Sequence, residues 1–349
     1  MEIDKKRIEW IDTAKGLGII CIIVSHFNLE SINAEWFRAI IQIFDVPLFF
    51  FLSGYMFKEN LDFKSFLLKK TKSLVVPYFC IGAFLLLFNF AFKYGFSFTT
   101  DFLKEIVKFF MARRMFTIWF FVALFFSELI FYFLVKYLKK VKKIFLAVVF
   151  LTVLIFVYYE IMGNVFPKLM MLPVNLDISV ASLPFMFAGY FLRKNKKMSS
   201  FVFKKQNFKY VFPLCSILGV LLALINYFVT GKCLNMYLCE YGIKLISYTA
   251  SVFAVIGAIL LSKKIRIKTF TYIGRNSVVY FTLHQTIFMP VSEFVLKKLN
   301  VFTTNSLADK YMFMFVDFVL VLLFCTAVSV CVNEIKLRFA LNKKILAKK

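Results

Sequence analysis

The chain has 349 residues, of which 61% are apolar and only 18% charged, with 49 phenylalanines and a net charge of +25. No water-soluble core of this size needs so much hydrocarbon, so the class is an all-α, polytopic membrane protein. The apolar runs lack period-two alternation, which excludes an outer-membrane barrel, and the placement of the charge argues against a nucleic-acid partner.

The apolar runs resolve into about ten candidate spans, near 10–27, 38–57, 74–92, 116–135, 144–160, 177–192, 210–229, 243–261, 270–290 and 311–332. They are read as a single membrane domain over 1–349. Lys5, Lys6 and Arg7 precede the first run like the start of a signal peptide. Asp12 and Lys15 interrupt that run and no small-residue cleavage site follows, so the span is read as uncleaved. With the N-terminus inside, 30 of the 44 lysines and arginines fall in the N-terminus, the alternate loops and the C-terminal tail. The opposite loops hold 11, counting Arg38 at the edge of the second span, and Lys15, Lys244 and Arg275 lie in spans. This asymmetry predicts cytoplasmic N- and C-termini, and the basic excess meets anionic lipid of the bilayer.

The first span, RIEWIDTAKGLGIICIIVSHF, carries Asp12, Lys15 and His26. Each ionisable group at membrane depth costs at least ~2.5 kcal/mol on insertion scales, so these are functional candidates. Eleven positions separate Lys15 from His26, which is ~1100° of helix: nearly one face, and ~16 Å of axis. The spacing points to a site reached from both sides of the membrane.

The second span, IIQIFDVPLFFFLSGYMF, holds Asp45 near its outer end, where a carboxylate could orient a histidine as in a hydrolytic triad. Pro47 and the Ser53-Gly54 pair permit close backbone approach. The inner loop after it clusters Lys64, Lys69, Lys70 and Lys72 ahead of Pro77. Topology alone explains such lysines; a polyanionic ligand such as the phosphates of coenzyme A is the sharper reading. In the outer loop, DFLKEIVKFFMARR puts Phe102, Ile106, Phe109 and Phe110 on one side of an interfacial helix, and its basic residues could also meet an anionic acceptor.

Glu128 in the fourth span and Asp317 in the tenth need partners, with Lys15, Lys244 and Arg275 as candidates; Glu128 is also a candidate substrate-binding residue. Five of the seven cysteines fall in spans as small apolar residues, while Cys233 and Cys239 share an outer loop and are either bonded or two free thiols. There is no metal-ligand spacing, no P-loop and no dinucleotide fingerprint, so no metal and no permanently bound cofactor are expected.

The two histidines, His26 and His284, both fall inside spans and at matching depth, ~21–24 Å from the inner edge. Two imidazoles at one level make a plausible acid–base site. In the ninth span, TYIGRNSVVYFTLHQ, Ser277 and His284 are nearly eclipsed with Tyr280 between them. Asn276, Ser277 and Tyr280 are either polar glue between helices or substrate-binding groups.

These stretches, together with KKTKSLVVPYF, IWFFVALFFSEL and PFMFAGYFLRK in the same order, resemble the membrane acyltransferase 3 family, in particular its fucose 4-O-acetylase-like branch. The resemblance covers nearly the whole chain. It implies a ten-helix core that transfers an acyl group, usually acetyl, from cytoplasmic acyl-CoA to a sugar hydroxyl of a surface polysaccharide or lipid-linked glycan precursor. Lys15 and His26 match the family's basic-x10-His motif, with Asp12 at the acidic position before it. The family's Arg-x3-Arg before the third span is replaced here by Lys69, Lys72 and Ser73, and Asp45 stands where relatives often have His. The expected assignments are therefore His26, His284 and Asp45 as catalytic residues and Lys15, Asp12, Lys69 and Lys72 toward the acetyl-CoA donor. Ser277, Tyr280, Asn276 and Glu128 are assigned to the acceptor. A bacterial plasma-membrane setting fits the Phe-, Lys-, Ile- and Asn-rich composition.

A secondary transporter or flippase of sugar-containing anions or lipids is the competing reading. The two-fold internal repetition usual in transporters is not visible in the sequence. Labelled acetyl-CoA separates the two, because a transporter neither hydrolyses nor transfers it.

Overall fold

A backbone surrounded by lipid must satisfy its own hydrogen bonds, and long apolar runs therefore fold as helices. The computed structural model describes residues 8–165, 171–265, 267–299 and 306–346. Lys5, Lys6 and Arg7 lie outside the described residues. In chain order the α-helices are α1 (Glu9–Ser25), α2 (Glu35–Gln42), α3 (Asp45–Tyr55), α4 (Phe63–Lys70), α5 (Val76–Phe92), α6 (Thr100–Phe110), α7 (Trp119–Leu138) and α8 (Val141–Val165). There follow α9 (Leu176–Ala181), α10 (Leu183–Lys194), α11 (Lys196–Phe203), α12 (Phe208–Thr230), α13 (Lys244–Lys264), α14 (Lys268–Arg275), α15 (Ser277–Leu283), α16 (Met289–Leu299) and α17 (Leu307–Leu346).

Among the described residues, seven helical stretches are long and apolar enough to cross a membrane: Glu35–Tyr55, Phe63–Phe92, Trp119–Leu138, Val141–Val165, Phe208–Thr230, Lys244–Lys264 and Leu307–Phe339. An eighth is broken, with Pro173–Ala181 and Leu183–Lys194 meeting at 49°. The other two candidate spans take different forms. The first is α1, only 17 residues long. The ninth is cut into α14, α15, a π-helical turn at His284–Phe288, and α16. These two segments carry both histidines.

The lysines expected in a loop before Pro77 stand instead on a helix, because Phe63–Phe92 runs as one 30-residue stretch. A π-helical turn at Thr71–Val75 sits just ahead of Pro77, and the turn at His284–Phe288 sits the same distance ahead of Pro290. Proline has no N–H and its ring clashes with the carbonyl four residues back; a widened turn accommodates both defects without ending the helix.

By contacts the chain divides into two units, Met1–Arg38 with Ser262–Lys349, and Ala39–Leu261. In the first, α1 lies along α14. A Cβ on Gly16 would run into the carbonyl of Phe270, and one on Gly274 into the carbonyl of Asp12, so glycine on each helix sets the spacing. Thr13 and Thr271 bond hydroxyl to hydroxyl at 3.0 Å across the pair. Helix α17 is tied in through Tyr280 to Thr326 (2.7 Å) and Tyr272 to Ser329 (2.8 Å). Asp317 accepts from Ser292 rather than pairing with a cation of the sequence-based candidate set.

The second unit repeats the device on α3 and α10, where a Cβ on Gly54 would meet the Met186 carbonyl and one on Gly189 the Phe51 carbonyl. Glu128 is buried here and paired with Lys70 at 2.5 Å, and Ser53 donates to it. That replaces the expected partners: Lys244 pairs with Glu160, and Arg275 with Asp12. Helix α6 packs Phe102 and Phe109 inward, with Tyr78 donating to the Phe109 carbonyl at 2.6 Å; Phe110, expected on the same side, is exposed. Arg114 and Asp177 form a buried ion pair beside Cys239. Cys233 and Cys239 are not joined in a disulfide. Burial pushes the Cys239 thiol up to about 11 against the opposing pull of the Arg114 guanidinium.

Candidate active site

The first unit builds a site around its two histidines. Helix α1 ends at Ser25, and His26 caps it with its N–H on the Ile23 carbonyl at 3.2 Å. His26 is exposed, whereas His284 is completely buried. The two rings lie 5.2 Å apart between centroids, tilted by 46°. Matching depth on two segments has therefore become contact.

The environment of His284 fixes its tautomer. Its Nδ1 lies 2.9 Å from the carbonyl of Tyr280, one helical turn back, and a carbonyl can only accept. Nδ1 therefore carries the proton in the neutral ring, and Nε2 carries the lone pair. That Nε2 is buried with no hydrogen-bond partner among the described residues. The imidazole of His26 packs against the ring that carries it. Because His284 opens the π-helical turn, the widened backbone presents its ring where α15 would otherwise continue.

Lys15 and Asp12 lie toward the other end of α1. Asp12 is buried and its carboxylate meets Arg275 Nε at 3.4 Å, so the acid holds α14 to α1. Lys15 is half-buried one turn further along, eleven residues and ~16 Å of axis from His26. Asn276 breaks the α14–α15 junction; its amide donates to the Tyr272 carbonyl (3.0 Å) and accepts from Asn333 (2.9 Å). Tyr280 has its hydroxyl on Thr326 and its carbonyl on His284, which places it behind the histidine. Ser277 is half-buried at the start of α15.

The remaining sequence candidates belong to the second unit. Asp45 starts α3, buried, with one carboxylate oxygen 2.5 Å from the Val46 amide. Lys69 and Lys72 are exposed at the π-helical turn. Glu128 is held by Lys70 and Ser53 as described. Arg38 was missed from the sequence. Its Nη2 donates to the carbonyl of Phe27 at 3.1 Å, the residue directly after His26, and its buried Nε has no partner among the described residues. The signal was available as a cation twelve residues beyond the histidine. Among the described residues, no group of three or more His, Cys, Asp or Glu side chains could hold a metal ion.

An accessible imidazole backed by a second one of fixed tautomer, with a guanidinium at the end of the same helix, is equipment for moving a proton to and from a hydroxyl. Residues 8–334 match a family described as an acyltransferase domain. The chain belongs to the acyltransferase 3 family. Searches among curated proteins and among solved structures return no match. Membership makes the protein an acyltransferase, and O-acetyl transfer fits it; the apolar helices place it in a membrane. The acyltransferase 3 match takes in both histidines, Lys15 and Arg38.

Proposed function

We propose that the protein is an O-acyltransferase of the fucose 4-O-acetylase-like branch, moving acetyl from cytoplasmic acyl-CoA to a sugar hydroxyl of a surface polysaccharide or lipid-linked glycan precursor. The observation that carries the reading is the His26–His284 contact, one ring exposed and the other enclosed with its lone pair directed at no other described group.

In this scheme the His26 ring turns, once the acceptor binds, to donate one N–H to Nε2 of His284, which leaves the other His26 nitrogen unprotonated as general base. It takes the proton of the acceptor hydroxyl as the oxygen attacks the thioester carbonyl. The C–S bond breaks, and the proton passes to the departing CoA thiolate. Arg38 stabilises the negative charge that develops on the oxyanion. Lys15, about 16 Å down the same helix face, holds donor phosphates; Lys69 and Lys72 are the basic residues of the second unit assigned to the same donor. That separation requires an extended pantetheine arm between the phosphates and the base. Ser277 contacts the acceptor, while Tyr280 and Asn276 set the position of His284.

The topology that serves this scheme has ten crossings, with both termini in the cytoplasm of a bacterial cell. Helix α1 and the broken 268–299 segment supply the two crossings beyond the eight long or bent ones.

The test uses purified protein, labelled acetyl-CoA and the extracted glycan. The wild type releases CoA and labels the glycan. His26→Ala lowers the rate about 10²- to 10⁴-fold, the range of a lost general base, with an unchanged thermal midpoint. Full turnover by His26→Ala sinks the scheme.

A further inference from the structure

The second unit carries an apolar groove of about 840 Å³ that the histidine chemistry does not use. Helices α8 and α13 form its walls through residues such as Phe145, Phe156 and Leu245, and α10 forms its floor, where Ala188 leaves depth between larger neighbours. The polar groups along it are already bonded. Thr152 donates to the Val148 carbonyl (2.7 Å) and Tyr248 to the Ala181 carbonyl (2.7 Å). Water gains nothing in such a channel.

Its two ends differ in charge. Lys244 at one end is neutralised by Glu160. Lys142 at the other is exposed, and Lys139, Lys140 and Lys143 stand beside it in the sequence, also exposed. From Lys142 to Phe156 the wall runs fourteen residues, ~21 Å of axis, about two-thirds of a ~30 Å hydrocarbon core. That length and the apolar lining suit one extended hydrocarbon chain lying along the groove, and the four exposed lysines at its end call for an acidic headgroup.

We propose that this groove binds one acyl chain of an acidic phospholipid, whose phosphate sits on Lys142 and its lysine neighbours. The positive-inside reading puts that headgroup in the cytoplasmic leaflet. The site is independent of the acyl-transfer scheme and stands or falls without it.

Native mass spectrometry of the full chain, delipidated and exposed to equal amounts of phosphatidylglycerol and phosphatidylcholine, tests the proposal. The wild type retains one phosphatidylglycerol at least tenfold over phosphatidylcholine. Lys142→Gln with Lys143→Gln brings the preference below twofold. Ala188→Leu fills the floor and cuts retention of both lipids at least fivefold, with the thermal midpoint of the delipidated protein unchanged. Equal retention of the two lipids by the wild type overturns the proposal, as does undiminished retention by Ala188→Leu. A phosphatidylglycerol with a photoreactive acyl chain gives a readout on the unaltered protein. Cross-links on α8, α10 or α13 support the groove, and cross-links confined to other helices overturn it.

Discussion

Arg38 and His284 flank His26, one bonding the carbonyl of the next residue and the other packing ring against ring. Arg38→Gln removes the charge while keeping an amide for the Phe27 carbonyl. The expected result is a kcat about 10- to 10²-fold lower at unchanged KM for acyl-CoA, with part of the rate restored by Arg38→Lys. Steady-state kinetics on both variants reads this directly; a rise in KM alone would assign Arg38 to donor binding instead. A different residue governs acid stability. Glu105 on α6 accepts from Lys93 (2.8 Å), Tyr94 (2.8 Å) and Asn89 (3.2 Å) near the end of α5. Burial opposes its charge, but these hydrogen bonds outweigh it and hold the carboxyl below the usual carboxylate range. A depressed folded pKa means that its stabilisation is complete above the unfolded value, ~4.3, and is lost as pH falls through the folded value. Thermal midpoints measured from pH 7 down to pH 3 should fall for the wild type across that window. Glu105→Gln should start lower and fall less there; parallel curves would show that Glu105 does not supply the acid-sensitive step.

At the scale of elements, two helix pairs depend on glycine in the same way. Gly16 and Gly274 let α1 meet α14, and Gly54 and Gly189 let α3 meet α10, each with a backbone carbonyl where a Cβ would be. A carbonyl inside a helix cannot step aside as a side chain can. Gly16→Ala, Gly54→Ala, Gly189→Ala and Gly274→Ala should each destabilise by about 1–3 kcal/mol or more, the range of overpacked interiors. Gly231 is a contrast: it sits at φ +67° with open space around it, so Gly231→Ala should cost only about 1–2 kcal/mol for a left-handed backbone, with no clash added. Thermal unfolding in detergent ranks the five; a Gly16→Ala as mild as Gly231→Ala would mean that the pair can slide apart freely. Much at this scale is legible from pattern, because apolar runs, turn residues and helix periodicity are local. The candidate spans near 116–135, 144–160, 210–229, 243–261 and 311–332 correspond to long helices. What escapes pattern is where a helix breaks without losing its apolar character. Asn276, the turn at His284–Phe288 and the 49° bend between Pro173–Ala181 and Leu183–Lys194 arise from packing and proline placement within continuous apolar sequence. The partners of Glu128, Asp317 and Arg275 were unreadable for a related reason. An ionisable residue announces that it needs a counter-group, but the choice among several is made by tertiary neighbours.

For the whole molecule, charge asymmetry is the feature that composition alone carries furthest. It predicts which loops share a side, though it does not say whether a 17-residue helix or a broken one completes a crossing. These are the segments that bear His26 and His284. The question has a direct test, because α1 and the 268–299 segment each change the side of one neighbour. If α1 crosses, Ile8 lies with Lys142 and opposite Ser31; if it does not, Ile8 lies with Ser31. If the 268–299 segment crosses, Lys297 lies opposite Lys142; if it does not, the two lie together. Single cysteines at these four positions, in a chain whose native cysteines have been replaced by alanine, can be labelled in intact cells with a membrane-impermeant maleimide. Ser31→Cys and Lys297→Cys should react at once, while Ile8→Cys and Lys142→Cys should react only after permeabilisation. Early labelling of Ile8→Cys, or protection of Lys297→Cys, would take the corresponding histidine segment out of the set of crossings. With α1 out of the set, a donor anchored at Lys15 and a base at His26 would face the same side of the membrane, and transfer across it would need another route.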